Sequence, residues 1–165
     1  MTAVLTSLAL GLLMAAVWRD VATRLIPDSL CLALLLVALA LRLPSGWMAT
    51  LGSLGAALLL FCALFCLAMG GLLGGGDVKL AGAFAAALPP SMVWDFLVST
   101  ILAGGLLGIG YIAAARVAPH PEAGSSLLRR VLAVEAWRIR RRAPLPYAVA
   151  IAAGGALVLL GQQGM

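Results

Sequence analysis

Asp20 and Asp77 are the residues whose type and placement suit hydrolysis, although 57 positions separate them. Two carboxyl groups that meet in a low-dielectric site cannot both ionise easily, so one holds a proton while the other stays charged. The charged one can take a proton from water. The protonated one can polarise a peptide carbonyl and later protonate the leaving amine. Such chemistry needs no metal, Ser, Cys or His. The single His120 lies in a loop-like Ala-Pro-His-Pro-Glu segment with no nucleophile motif beside it. Cys31, Cys62 and Cys66 lie in apolar runs and read as small buried residues; they form neither a metal set nor a disulfide framework. The residues alone leave other readings open. Acids at span ends serve as helix caps, a carrier keeps acids near its pathway, and a non-enzymatic assembly component needs none.

Asp77 follows three glycines, Gly74, Gly75 and Gly76, which interrupt the apolar run 51–73. Gly costs a helix interior about 1 kcal/mol relative to Ala. Three in a row read as a break that lets an extended backbone approach Asp77. Lys79 stands just beyond. It either sets the charge near Asp77, meets an acidic residue of a substrate, or snorkels at the interface.

The elements that must position these residues are membrane helices. The chain is 64% hydrophobic and 10% charged, where a soluble domain has about 25% charged residues. We therefore expect an all-α membrane protein, a single polytopic domain over residues 1–165 with about six transmembrane helices. Span 1 covers residues 3–18 and reads as retained, because no basic n-region or cleavage site is evident. A polar turn over 19–24 follows, then Ile26-Pro27-Asp28. Pro27 suits the first turn of span 2 (29–43), and Asp28 or Ser29 would cap that helix or complement its dipole. Span 3 covers 49–73. Span 4 runs from Asp77 to Leu88 and is rich in Ala and Gly, so it should pack inside the bundle. Span 5 covers 92–115, with Gly104, Gly105, Gly108 and Gly110 as a small-residue face. The polar segment 116–145 should hold a basic amphipathic helix over 127–142. Leu127, Leu128, Val131, Leu132 and Ile139 fall on one side and Arg129, Arg130, Arg140 and Arg141 on the other, while Glu135 and Arg138 blur the pattern. Such a helix lies on anionic lipid or docks a partner. Span 6 covers 146–161.

With six spans, ten of the eleven basic residues fall on one side of the membrane and Arg42 alone on the other. The positive-inside rule makes the ten cytoplasmic and turns both termini outward. The net charge of +5 then needs no partner beyond the lipid surface, and nothing suggests nucleic acid. Asp20, Asp28 and Asp77 share the cytoplasmic side, as do Glu122 and Glu135.

Three motifs, in order along the chain, resemble those of the type IV prepilin peptidases. Asp20-Val-Ala-Thr-Arg-Leu-Ile-Pro-Asp28 is similar to the family's Asp followed at the same spacing by Ile-Pro-Asn. Gly74-Gly75-Gly76-Asp77-Val78-Lys79-Leu80 resembles Gly-x-Gly-Asp with Val-Lys-Leu, a motif that presenilin-like proteases share. Residues 144–154 resemble the Pro-Tyr…Ala-Ile-Ala…Gly pattern of the last span. The resemblance implies an aspartyl endopeptidase of the bacterial inner membrane that removes the short basic leader of prepilins or pseudopilins, typically after a Gly, on the cytoplasmic side and without a cofactor. Its two catalytic acids map onto Asp20 and Asp77. The small size points to the tight-adherence (Flp) pilus branch. The insertion with paired Cys-x-x-Cys motifs that accompanies N-methylation in longer members has no counterpart, so methyltransferase activity is not expected. Asp28 stands where the family usually has Asn and adds a charge eight residues from Asp20, or simply caps a helix. Ala148 stands where many members have Gly.

Overall fold

The computed structural model describes residues 2–117, 127–140 and 145–163. These form seven α-helices and a short 3-10 turn at Leu43–Ser45, and no strand occurs among the described residues. In chain order they are α1 (Thr2–Thr23), α2 (Asp28–Arg42), α3 (Trp47–Met69), α4 (Gly75–Ala85), α5 (Pro90–Val117), α6 (Leu127–Arg140) and α7 (Tyr147–Gln163). Four helical stretches, Thr2–Thr23, Asp28–Ser45, Trp47–Met69 and Pro90–Arg116, are long and apolar enough to cross a membrane, and Tyr147–Gly161 is a shorter apolar helix. The chain is thus a multi-pass, all-α membrane protein. Much of its outer surface is apolar, as lipid requires: Leu59, Leu102, Leu106 and Ile109 are all exposed.

The helix ends explain how the site is placed. α1 does not stop at Trp18. No helix breaker occurs before Pro27, so the expected polar turn is instead a last helical turn in which the Thr23 hydroxyl donates to the Arg19 carbonyl at 2.8 Å. The helix closes at Arg24, whose φ of 57° is the one positive value at a non-glycine among the described residues. Pro27 precedes α2 as its cap and provides no side-chain hydrogen bond. Asp28 complements the α2 dipole from the first turn and does not cap the helix.

α3 ends earlier than the glycine triplet. Gly71 has φ 75°, its N–H donates to Ala68 at 2.9 Å, and the Leu72 N–H donates to Leu67 at 3.1 Å. This is a Schellman close, which favours glycine at the left-handed position. Gly70–Gly71 therefore break the apolar run, whereas Gly74 begins the next helix and Gly75 and Gly76 lie in its first turn.

α4 has 11 residues, about 16 Å at 1.5 Å per residue. That is roughly half of a ~30 Å hydrocarbon core, so the short span 4 expected over 77–88 is a half-helix, shifted slightly towards the glycines. It packs against α2, α3 and α7, and Val78, Leu80, Phe84 and Leu88 are almost wholly buried. A Cβ on Gly82 would lie 3.1 Å from Phe61, and one on Gly155 would lie 2.8 Å from the Phe84 ring. These two glycines let α3 and α7 close on α4. α5 and α7 form the most extensive helix pair. There a Cβ on Gly154 would lie 2.7 Å from the Thr100 backbone nitrogen. Gly104 and Gly108 on α5 face Ala150 and Leu145, whereas Gly105 and Gly110 face open space. The expected four-glycine face is thus a two-glycine contact. Cys31 is buried, but Cys62 and Cys66 are exposed on α3, where an apolar lipid environment suits a thiol as well as a core does.

Candidate active site

Asp20 lies in the last turn of α1 and is only 7% exposed. Its Oδ2 accepts the Ala148 backbone N–H at 3.3 Å. That N–H belongs to the first turn of α7, where helix geometry leaves amides without an intrahelical partner. The dipole of α7 thus points its positive end at the carboxyl group. Pro146, fully buried just ahead, starts α7 at this depth.

Asp77 lies in the first turn of α4. Its carboxyl group turns back towards the Gly74 backbone N–H, and a Cβ on Gly74 would lie 2.8 Å from Oδ2. Glycine is required there by the folded-back carboxyl group. The other oxygen, Oδ1, is buried and has no hydrogen-bond partner among the described residues. Gly76 faces Ile26, which a Cβ would meet at 3.3 Å, and Gly75 faces open space.

The two acids therefore reach the same end of the bundle from the last turn of α1, facing the N-terminus of α7, and from the first turn of α4, close enough for their charges to interact. Arg24 interacts electrostatically with both. Its guanidinium Nη2 donates to Glu135 Oε1 on α6 at 2.6 Å. The Tyr111 hydroxyl of α5 donates to the same oxygen, and Arg138 Nη1 donates to Glu135 Oε2 at 3.1 Å. Arg138 Nη1 also donates to the Val21 carbonyl at 2.6 Å. Glu135 is only 8% exposed. α6 is thus held against α1 and α5 by the two residues that blurred its amphipathic pattern. Much of that pattern falls on Arg141 and on the side chains of Leu127–Arg130, Leu132, Ile139 and Arg140, which lie outside the described residues, as do His120 and Glu122.

The remaining sequence candidates stand apart. Lys79 Nζ binds Asp28 Oδ1 at 2.8 Å, with the side chains 49% and 77% exposed. Asp28 faces Lys79 and solvent at the start of α2, and Pro27 shapes the chain between Ile26 and that helix. Sequence reasoning passed over Arg24, Tyr111, Glu135, Arg138 and the Ala148 amide. Arg24 was inside the first motif, and Glu135 was an isolated acid in a basic helix; their pairing across 111 positions left no local signal.

The multi-pass helical bundle thus gathers two acids and a buried ion-pair network at one end. The chain matches the type IV leader peptidase family over residues 7–112, more than half its length, and it belongs to that family: it is a membrane peptidase of the leader-peptidase kind. The matched segment holds both Asp20 and Asp77 and ends within α5. No curated protein and no solved structure matches the chain.

Proposed function

We propose that the protein is an aspartyl endopeptidase that removes the N-terminal leader of prepilins or pseudopilins of the tight-adherence type. It acts at the cytoplasmic face of the bacterial inner membrane, with both termini outward and the basic segment on the anionic lipid of that face. The observation that carries this reading is the meeting of Asp20 and Asp77 from distant helices, in a chain of the leader peptidase family. One carboxylate accepts a proton from water, whose oxygen attacks the scissile carbonyl carbon. The other, protonated, gives its proton to the carbonyl oxygen. Collapse of the tetrahedral species breaks the C–N bond as a proton passes to the leaving nitrogen, which yields a new carboxyl end and a new amine.

The test is cleavage in membranes of a prepilin with a basic leader ending in Gly, read by gel shift and N-terminal sequencing. Asp20→Asn and Asp77→Asn should each lower the rate at least ~10³-fold, the range of a lost general acid or base. Wild-type cleavage by both variants would overturn the assignment and turn attention to transport or pilus assembly.

A further inference from the structure

The network beside the two acids is more elaborate than α6 needs for anchorage. Arg24 adopts a left-handed backbone, with φ 57°, a conformation that is unfavourable for an L-residue. Its N–H still closes α1 on the Asp20 carbonyl at 2.8 Å. The side chain is 22% exposed, and its Nε and Nη1 are buried with no hydrogen-bond partner among the described residues. Burying a guanidinium is costly unless its charge is answered. Glu135 answers it directly, and both Asp20 and Asp77 lie within reach of its field. Glu135 in turn is fixed by donors from two further positions, Tyr111 and Arg138.

We propose that Arg24, oriented by Glu135, is a positioning residue whose fixed positive charge sets the proton distribution of the Asp20–Asp77 pair. The proposal rests on the peptidase reading above. α6 then belongs to the reaction site, because it supplies the acid that orients Arg24. The charged and titratable groups facing this point are Asp20 from α1, the buried Cys31 from α2, Asp77 from α4, Tyr111 from α5, and Glu135 and Arg138 from α6, with the Ala148 amide from α7. Asp28 and Lys79 are paired with each other at the exposed start of α2 and α4.

The two partners of the ion pair act on Asp20 with opposite sign, which separates this role from a structural one. Removing the positive charge should displace the pH–rate profile upward, and removing the negative charge should displace it downward. The experiment measures kcat and KM for the same prepilin across pH with the full chain in lipid. Arg24→Gln should lower kcat about tenfold with KM within about twofold and shift the profile upward. Arg24→Lys should return the profile to the wild-type position. Glu135→Gln should shift it downward. Should Arg24→Gln fail to fold, the Lys and Glu135→Gln variants carry the same test. Profiles that stay at the wild-type position in Arg24→Gln and Glu135→Gln, or that move in the same direction in both, would overturn the proposal. Asp20→Asn and Asp77→Asn run in parallel. Inactive Asp variants beside unmoved Arg24 and Glu135 profiles defeat the positioning role alone, whereas active Asp variants defeat the peptidase mechanism itself.

Discussion

Glu135 and Asp28 each answer a basic side chain at the site's end of the bundle, and their surroundings differ sharply. Glu135 is buried, takes donors from Arg24, Tyr111 and Arg138, and ties α6 to α1 and α5. Asp28 pairs with Lys79 alone among the described residues, and both side chains stand in solvent. An exposed pair gains little, because water screens it and two long side chains lose freedom. A buried network is costly to assemble and costlier to break, since removing one partner strands the others away from water. Two ion-paired acids at one end of one molecule thus carry different weight, and burial sets the difference.

Breaking the buried network should have the largest effect on stability. Glu135→Ala leaves Arg24 and Arg138 without their shared acceptor, with side chains 22% and 17% exposed. The expected loss is about 3 kcal/mol, read by thermal or chemical unfolding in detergent. A triple variant that also replaces both Arg24 and Arg138 with Met should recover part of it, because the stranded charges are then gone. No recovery would mean that Glu135 acts through packing and not through charge.

That network also marks where the sequence stops being informative. The all-α membrane class follows from composition, and the apolar runs place α2, α5 and α7 to within a few residues. Asp20 and Asp77 stand out because acids are rare in such a chain and because flanking glycines and prolines mark chain breaks. The glycines themselves misled. Gly70–Gly71 and Gly74–Gly76 both follow the same apolar run, and composition does not reveal which residue takes a positive φ. The close at Gly71, with α5 starting at Pro90, leaves room for only a half-helix. Arg24 and Glu135 are joined by tertiary folding alone. In a one-dimensional reading, an acid in a basic helix looks like noise until the helix is docked.

A smaller effect should come from the backbone under Asp77. Gly74→Ala places a Cβ 2.8 Å from Asp77 Oδ2, so the carboxyl group must leave its folded-back position. Cleavage should fall about tenfold, and stability should fall by about 1 kcal/mol through the poorer N-cap. Gly75→Ala is the matched control: a Cβ there meets nothing within 4 Å, so activity should stay within about twofold and the added methyl should favour the helix slightly. Equal losses in the two variants would show that glycine flexibility in general, and not the Asp77 position, is what the motif supplies.

The exposed pair should matter least. Lys79 follows Asp77 by two residues, so along α4 the two side chains do not share a face. The ammonium group has turned to Asp28, away from the acids. Lys79→Ala should therefore cleave at nearly the wild-type rate across pH, with a melting temperature unchanged within about 1 °C. Asp28→Asn should behave alike, since Asn keeps a polar side chain at the start of α2 while removing the charge. A shifted pH–rate profile in either variant would show that the solvent-exposed charges reach Asp77 through the first turn of α4. The contrast with Glu135 would then be one of degree. An unchanged profile, beside displaced ones for Arg24 and Glu135, would confine electrostatic control of the site to the buried side of the bundle.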